Sequence, residues 1–401
     1  MWKIALLTLY NNNYWNKLQN YAVQEIIKKY VRNWEITTIR NNGKVTIKIL
    51  LITWINYLFK EYKNTWIINT ILQIIKKSLN ILICTIKGNC SKWEKILFQE
   101  KQLSNRTNSF NKFNKHIKSS DFIEDVYRPN RKNLEWFDYY IVGSYQVRHP
   151  RSIHLMPLFT LWYIKDNNKK IAFSASFAID HLPKWNSKGI KDISKFKAIS
   201  VRETKWKEII EEYTDRKDVQ VLLDPTMLLP VESRDKISIC PSQFKELWFE
   251  NNKYIFCYFL WSITEKAKHE IERIAKEQNN KIIYIMDIND PFYTCWPSEF
   301  VWLIRNAYLV CTDSFHWSVF SLLYNKPFLV FNRVDPWQKE WEKNSMNSRL
   351  VTLLEKFQIK NRYFNWKIDN KLLMPDYPQF KNILNQEKIK ADKFLKQAFD
   401  E

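Results

Sequence analysis

Glycine is scarce in this chain. Only 4 of its 401 residues are glycine, against 18 tryptophans, whereas an average chain of this length has roughly 28 glycines. Glycine-rich phosphate-binding motifs are absent: there is neither Gly-x-Gly-x-x-Gly nor a Walker motif, and His-Glu-x-x-His is missing too. Nicotinamide-dependent, P-loop ATPase and zincin functions therefore have no support in the sequence.

Cysteine is also sparse, and its spacing argues against metal and disulfide frameworks. No Cys-x-x-Cys pair occurs among the six cysteines, which are Cys84, Cys90, Cys240, Cys257, Cys295 and Cys311. Several of them lie inside apolar runs. We therefore expect no bound metal and a reducing compartment, the cytoplasm.

Long hydrophobic runs are missing as well. The most apolar stretches, residues 48–59 and 65–86, are interrupted by polar residues such as Lys76 and Lys77. Neither offers the ~20 apolar residues of a membrane-spanning helix. Residues 1–7 have no basic segment and no small-residue cleavage site, so we expect no secretion signal.

Acidic residues are outnumbered. Lys and Arg total 63 against 42 Asp and Glu, giving a net charge of +21. Such a charge favours anionic partners, but 48 lysines against 15 arginines is also what AT-rich codon usage produces. Because no nucleic-acid-binding motif accompanies the charge, we expect no nucleic-acid partner.

Alternating strand and helix patterns predict an α/β fold. Strands are predicted at residues 3–10, 35–39, 137–142, 171–177, 198–202 and 219–223, and then at 254–260, 281–286, 308–312 and 327–331. Helices are predicted at 18–30, 205–213, 264–278, 298–307, 316–324 and 380–399. This alternation is typical of parallel sheets covered on both faces.

The proline-rich segment 225–241 separates two series of alternating strands and helices and is the best candidate for a linker between domains. We expect an N-terminal Rossmann-like domain over residues 1–230, with a basic helical insert at about 45–120, and a C-terminal Rossmann-like domain over residues 242–375. Residues 376–401 are predicted to form a helix that packs back across the domains. Ligands of such sheets bind beyond the carboxyl ends of the strands, here in the cleft between the domains.

The most informative segment for chemistry is Cys311-Thr312-Asp313-Ser314-Phe315-His316, which joins a strand end to an apolar helix. Asp313 or Ser314 can cap that helix, and its first free N–H groups form an anion site. In the first turn, His316 has a pKa suited to proton transfer. A histidine merely packed at the helix start is the alternative, and spacing alone does not separate the two.

A second candidate is Arg202, at the end of a predicted strand in a chain with few arginines. A guanidinium suits bidentate binding of phosphate or carboxylate. A structural ion pair between Arg202 and Glu203 is the alternative, and both stay open. Gly143-Ser144, after another strand, could bring the backbone close to a phosphate, although two residues are a weak signal.

Seven motifs, in order along nearly the whole chain, resemble those of the polysaccharide pyruvyl transferase family. Asn13-Tyr14-Trp15 with Leu18-Gln19-Asn20-Tyr21-Ala22 is similar to the opening Asn-Tyr-Gly-x-x-Leu-Gln-x-Tyr-Ala. Gly143-Ser144-Tyr145-Gln146-Val147 is similar to the Gly-Ser-Asp-Gln-Val turn. The others are Ala175-Ser176-Phe177, Ser200-Val201-Arg202-Glu203, Leu223-Asp224-Pro225-Thr226, Thr312-Asp313-Ser314-Phe315-His316 and Asn347-Ser348-Arg349-Leu350. Residues 45–100 fall outside the resemblance.

The resemblance implies two Rossmann-like domains facing across a cleft, similar to those of GT-B glycosyltransferases. It also implies transfer of the enolpyruvyl group of phosphoenolpyruvate to two sugar hydroxyls, which makes a pyruvate ketal on a bacterial surface polysaccharide or its precursor. Phosphoenolpyruvate is then the donor, with no further cofactor, and a glycan or lipid-linked saccharide is the acceptor. By resemblance His316 is the general acid and Arg202 a donor ligand; the other predicted substrate-binding residues are Asn13, Gly143, Ser144, Asp313, Ser314 and Arg333.

The chain departs from the family pattern at several positions. Some members have an arginine where this chain has Ser314, so the second cation for the donor stays open among Arg333, Lys326 and Arg148. Tyr145 replaces the usual aspartate, and Ala178 stands where glycine is common.

Five further departures put tryptophan in place of glycine, at Trp15, Trp206, Trp261, Trp296 and Trp317. An indole at position 317, beside His316, is expected to crowd a phosphate site. Together with the scarcity of glycine, these positions suggest that many tryptophans are glycine in the living cell, through UGA codons translated as glycine. If Trp317 is truly tryptophan, an inactive glycan-binding relative becomes the stronger interpretation.

Two alternative functions stay open: a GT-B glycosyltransferase that uses a nucleotide sugar, and a non-catalytic glycan-binding or assembly protein. The basic insert is either a solvated surface or a contact with anionic lipid near a lipid-linked acceptor. We accordingly expect a cytoplasmic protein, with peripheral contact to the inner face of the membrane as an open alternative.

Overall fold

The protein is described here by a computed structural model. The described residues are 2–31, 33–42, 90–144, 147, 157–176, 187–247, 253–331 and 350–399. Several predicted features lie outside them: Arg333, Arg148, Tyr145, Ala178 and the first part of the basic insert.

Seven described strands form one parallel sheet in the order β3-β2-β1-β4-β5-β6-β7. They are β1 (Lys3–Leu7), β2 (Glu35–Asn42), β3 (Ser119–Asp125), β4 (Tyr139–Val142), β5 (Lys170–Ala175), β6 (Ala198–Val201) and β7 (Gln220–Val221). At its centre, Leu6 of β1 is in register with Thr38 on one side and Ile141 on the other. Every residue of β5 is buried, as expected of a strand covered on both faces.

A second parallel sheet has the order β11-β10-β8-β9. Its strands are β8 (Tyr254–Tyr258), β9 (Lys281–Tyr284), β10 (Leu309–Thr312) and β11 (Phe328–Val330). The prediction of an α/β fold with two Rossmann-like parallel sheets is confirmed.

Helices cover both sheets. Those before and along the first sheet are α1 (Tyr14–Ile27), α2 (Cys90–Asn111), α3 (Arg131–Leu134), α4 (Pro157–Thr160), α5 (Ser187–Ile193), α6 (Thr204–Tyr213), α7 (Pro225–Leu228) and α8 (Val231–Asp235). The rest are α9 (Ser242–Glu246), α10 (Glu265–Glu277), α11 (Pro297–Asn306), α12 (Phe315–Leu323) and α13 (Phe380–Ala398), with 3-10 turns at Lys112–His116, Asn167–Lys169, Lys360–Arg362 and Asn370–Leu373. Among the described residues, no helix has the length and apolarity needed to cross a membrane.

Strand β3, which begins at the end of the predicted insert and runs beyond it, was not expected. Its sequence is Ser-Ser-Asp-Phe-Ile-Glu-Asp, and only two of its seven residues, Ser120 and Glu124, are buried. Of the described strands, only β2 pairs with it. An edge strand needs no continuous apolar run, so the hydrophobic pattern gave no sign of it.

The predicted linker is a packed part of the structure. Helix α7 lies against α1, with Pro225 and Met227 buried. The buried guanidinium of Arg234, on α8, donates to the carbonyl oxygens of Thr226 (3.2 Å) and Leu229 (2.8 Å). These bonds satisfy carbonyls in the turn between the two short helices.

One continuous apolar core joins the two sheets, and contacts across it are specific. The Tyr14 hydroxyl, on α1, donates to the Cys295 carbonyl at 2.7 Å. Arg106, on α2, donates to the carbonyls of Tyr293 (2.8 Å) and Ile285 (3.3 Å). Helices attached to the first sheet therefore bind the loops of the second.

Helix α13 returns from the second sheet to the first. The Tyr30 hydroxyl, just beyond the end of α1, donates to Asp392 at 2.9 Å. The ring of Phe394 stacks on Phe173 of β5, with 6.5 Å between centroids. The end of the described chain is thus packed on the half where the chain begins.

Candidate functional site

The two sheets meet at the carboxyl ends of their central strands. Helix α1 follows β1 and helix α12 follows β10, and the first turns of both helices touch. The contact is a stack of Trp15 on His316, with 3.4 Å between ring centroids and 19° between planes. This is the edge at which ligands of doubly wound sheets bind.

His316 lies in the first turn of α12 and is half-buried. The N-cap of that helix is Ser314, whose side chain makes no capping hydrogen bond. The backbone N–H of Ser314 donates instead to the Thr312 hydroxyl, at 3.0 Å. The backbone thus orients the turn that presents the imidazole.

Asp313 does not cap α12. Its buried carboxylate accepts hydrogen bonds from the backbone N–H groups of Leu260 (2.9 Å) and Trp261 (3.1 Å), in the loop after β8. The residue therefore fixes the turn beside His316, and its contact with substrate stays a prediction.

Indole rings fill the space around His316. Trp317 is buried against Phe300, with 3.9 Å between ring centroids, and lies edge-on to Trp15. Among the described residues, the Nε1 atoms of Trp15 and Trp317 have no hydrogen-bond partner. A buried donor without a partner costs about 1–3 kcal/mol, so both tryptophans fit their surroundings poorly. Trp206 and Trp296 are also buried, and Trp261 is exposed.

Arg202 follows β6 and is held by two carboxylates. Its Nη1 donates to Asp224 at 2.8 Å and its Nε to Glu203 at 3.3 Å, and the side chain is 5% exposed. Burial alone would lower the pKa of the guanidinium, but Glu203 and Asp224 outweigh it and keep the pKa of Arg202 above its ordinary value. The ion pair proposed as the alternative does exist; Nη2 has no hydrogen-bond partner among the described residues.

Phe315 connects the two predicted residues. The Cζ atom of Arg202 lies 5.6 Å from the centre of its ring, and that ring lies 5.3 Å from the ring of His316. The structure therefore brings a guanidinium attached to the first sheet near an imidazole attached to the second.

Asn13, Gly143 and Ser144 have structural partners. The Asn13 side chain caps α1 by accepting from the Asn16 N–H at 2.7 Å. Gly143 has φ +135°, and a Cβ there would lie 2.2 Å from the Phe173 carbonyl oxygen. The close approach that Gly143 permits is therefore to a neighbouring strand. The buried Ser144 hydroxyl accepts from Gln19 at 2.5 Å.

Of the three candidates for the second cation, only Lys326 lies in the part of the chain that the structure describes, and its function stays a prediction. It lies beyond the carboxyl end of α12, whereas His316 lies at the amino end of that nine-residue helix. Nine residues span roughly 13 Å. Arg333 and Arg148 lie outside the described residues.

A residue that sequence reasoning did not assign, Gln19, is central to the site. Its Nε2 donates to Asp224 Oδ2 at 2.6 Å, the same oxygen that Arg202 binds. Asp224 also accepts from the Thr226 N–H and hydroxyl. Both Gln19 and Asp224 belong to motifs noted in the sequence, which was the available signal, but their contact spans 205 positions.

Comparisons with known proteins were made at the level of family, sequence and structure. The family model described as polysaccharide pyruvyl transferase matches residues 13–336. No curated protein matches the chain.

Among solved structures, the chain is similar to UDP-GlcNAc 2-epimerase from Neisseria meningitidis bound to UDP-GlcNAc, with TM-score 0.47 and 12% identity over 99% of this chain and 100% of that one. It is similar to a putative UDP-N-acetylglucosamine 2-epimerase from Listeria monocytogenes, with TM-score 0.43 and 10% identity over 96% and 94% of the two chains. E. coli ADP-heptose lps heptosyltransferase II gives TM-score 0.33 and 9% identity over 98% and 100%.

Proposed function

The chain belongs to the polysaccharide pyruvyl transferase family, and on that premise we propose that it transfers the enolpyruvyl group of phosphoenolpyruvate to two hydroxyls of a glycan, forming a pyruvate ketal. The acceptor is a surface polysaccharide or its precursor, free or lipid-linked, and the reaction takes place in the cytoplasm. Phosphoenolpyruvate is the donor substrate, and the reaction needs no other cofactor.

The observation that carries the proposal is the approach of Arg202 to His316 through Phe315, between the carboxyl ends of the two sheets. An imidazole in the first turn of a helix suits proton transfer near neutral pH. The N–H groups of that turn and Arg202 Nη2 are donors for the oxygens of an anionic donor substrate.

In the proposed reaction, His316 delivers a proton to C3 of the enol, which leaves a cationic centre at C2. The oxygen of one acceptor hydroxyl forms a bond to C2, the bond from C2 to the phosphate oxygen breaks, and the second hydroxyl oxygen forms the second bond to C2. Of the two hydroxyl protons, one restores the proton that His316 gave and the other leaves with inorganic phosphate. Fixed donors stabilise the charge that moves to the phosphate.

The test is release of inorganic phosphate from phosphoenolpyruvate in the presence of candidate saccharides, for the wild type, His316→Ala and the control His269→Ala. His269 is exposed on α10, far along the chain from the site. Loss of a general acid lowers turnover by about 10²–10⁴-fold, so His316→Ala should be nearly inactive and the control unchanged.

Undiminished turnover of His316→Ala would remove that residue from the mechanism. Binding of a nucleoside diphosphate without any use of phosphoenolpyruvate would indicate a glycosyltransferase. Saccharide binding without phosphate release would indicate a non-catalytic protein.

A further inference from the structure

Four neighbouring side chains at the cleft have hydrogen-bonding atoms that are buried and unused. Among the described residues, the atoms without partners are Asn16 Nδ2 and Oδ1, Gln19 Oε1, Glu203 Oε2 and Arg202 Nη2. Asn16 is 3% and Gln19 1% exposed. More than nine in ten buried polar groups of folded proteins are paired, so five unpaired atoms in one region require an explanation.

Shared partners hold these side chains together. Gln19 Nε2 and Arg202 Nη1 both donate to Asp224 Oδ2, at 2.6 and 2.8 Å. Arg202 Nε donates to Glu203 Oε1, which also accepts from the Ser176 hydroxyl at 2.6 Å. One polar cluster therefore spans the carboxyl ends of several strands of the first sheet.

Asn16 extends this cluster toward the second sheet. It lies one turn before Gln19 on α1, and residues three apart are neighbours on a helix surface. It also follows Trp15 directly, the residue stacked on His316. Asn16 is therefore a neighbour both of Gln19 on the surface of α1 and, along the chain, of the residue that contacts His316.

The chemistry of the unused atoms selects the ligand. Gln19 Nε2 is identified as the nitrogen because it faces a carboxylate oxygen, so the unused Oε1 is an acceptor. The unused set on Asn16, Gln19 and Glu203 thus contains three acceptor oxygens and one NH₂ donor. A phosphate or carboxylate only accepts hydrogen bonds and could use the NH₂ group alone.

The charges of the cluster also favour a neutral ligand over an anion. Arg202 carries one positive charge, and its partners Asp224 and Glu203 carry two negative charges. A group bound at Glu203 Oε2 therefore meets a carboxylate oxygen, which disfavours an anion at that point and favours a neutral donor of hydrogen bonds, whereas an anion is favoured only at Arg202 Nη2. Sugar hydroxyls are neutral and both donate and accept.

We propose that Asn16, Gln19 and Glu203 form the subsite for the acceptor saccharide, binding neighbouring hydroxyls of one pyranose ring, while Arg202 Nη2 stays directed at the donor. The inference rests on the proposed function, because it assigns the two substrates of that reaction to opposite sides of Arg202. Glu203 Oε2 accepts a hydrogen bond from a hydroxyl, and the Asn16 amide bridges the next one.

The experiment measures KM for the saccharide and KM for phosphoenolpyruvate separately, in phosphate-release assays with methyl β-D-galactopyranoside, methyl α-D-glucopyranoside and methyl α-D-mannopyranoside. The variants are Asn16→Ala and Glu203→Gln. Loss of a hydrogen bond in a binding site costs about tenfold in affinity. Both variants should raise the KM of the best saccharide by about that factor, and Asn16→Ala should leave the KM of phosphoenolpyruvate within about twofold.

Asn20→Ala is the matched control. Asn20 is a buried asparagine on the same helix, but its Oδ1 accepts from the Thr38 hydroxyl at 2.6 Å. That variant should lose stability and keep both KM values. Asn16→Leu provides the converse measurement: since the Asn16 amide has no partner to lose, this variant should unfold at a higher temperature than the wild type.

The possible results separate the two proposals. If Asn16→Ala raises the KM of phosphoenolpyruvate and not that of the saccharide, or changes neither, the acceptor subsite is refuted. If the wild type releases no phosphate with any saccharide, the proposed function fails. In that case direct calorimetric titration of the same three glycosides, weakened by Asn16→Ala but not by Asn20→Ala, would still support the subsite, and equal titration by all three proteins would refute it.

Discussion

The indole of Trp15 lies on the imidazole of His316 with 3.4 Å between their centroids. One face of the imidazole is therefore covered by a residue that stands where the family motif has glycine. The same indole has a buried Nε1 without a partner among the described residues. Because of this stack, the identity of residue 15 affects how a substrate can reach the imidazole of His316.

Glycine at position 15 should uncover His316 and increase activity. We expect Trp15→Gly to raise phosphate release from phosphoenolpyruvate by at least about tenfold, because a proton donor must come within hydrogen-bond reach of its substrate. The exposed Trp162 supplies the control, since Trp162→Gly removes an indole that is 52% exposed and should leave activity unchanged.

The codons test directly whether these tryptophans are glycine in the living cell. We expect UGA at positions 15, 206, 261, 296 and 317, and glycine in the corresponding peptides of the protein isolated from its own cells, identified by mass spectrometry. UGG at these positions would end the hypothesis and favour an inactive relative.

The buried ion pair should contribute far more to stability than an exposed one. Asp224→Ala leaves the Arg202 guanidinium, 5% exposed, with Glu203 as its remaining carboxylate, and we expect a loss of about 3–5 kcal/mol in the free energy of unfolding. Lys205 and Glu208 form a pair in which both side chains are more than half exposed. Glu208→Ala should cost less than about 1 kcal/mol. Urea unfolding monitored by circular dichroism measures both; equal losses would contradict the buried network.

Gly143→Ala should destabilise the first sheet. The new Cβ would meet the Phe173 carbonyl oxygen at 2.2 Å, on a backbone with φ +135°, and we expect a cost of about 3 kcal/mol or more. Gly189 lies within α5, so Gly189→Ala is expected to stabilise the protein by about 0.5–1 kcal/mol. Opposite shifts in melting temperature are the expected result, and a tolerated alanine at 143 would show that the turn is not constrained.

Lys17 should make the free energy of unfolding depend on pH in the alkaline range. Its Nζ is hydrogen-bonded to Asn114 Oδ1 at 2.6 Å and lies over the Tyr10 ring, and burial lowers the pKa of Lys17 from 10.5 to about 8. Between these values the unfolded chain binds more protons than the folded one, so stability rises with pH from about 8 to about 10.5 and the cost of the buried charge is fully present below pH 8.

The measurement is the difference in unfolding free energy between the wild type and Lys17→Met across that range. We expect the difference to shift by at most roughly 3 kcal/mol. A constant difference for Lys17→Met would show that its pKa is not lowered.

Much of the fold could be predicted because it depends on local pattern. The continuous apolar runs of β1 and β8 and the helical spacing of α10 are properties of neighbouring residues, and their predicted bounds agree with the structure to within a few residues. The start of α1 at Tyr14 was missed, because Asn16, Lys17 and Gln19 are buried polar residues that look like surface in a hydrophobicity pattern. Their burial depends on partners distant in sequence.

The candidate site could be predicted only in part. His316 and Arg202 were identified from their place at strand ends, which the topology brings to one edge. The function of Asp313 in binding Leu260 and Trp261 depends on a contact across more than 50 positions. No pattern along the chain indicates such a pairing, since it arises only when two parallel strands become neighbours.

In the part of the chain that the structure describes, the chain passes from the first half to the second after α8 and returns before α13, whose far end packs on Phe173 and Trp34. The two halves are therefore held together by the packing of α13 on the first half as well as by the chain between α8 and β8.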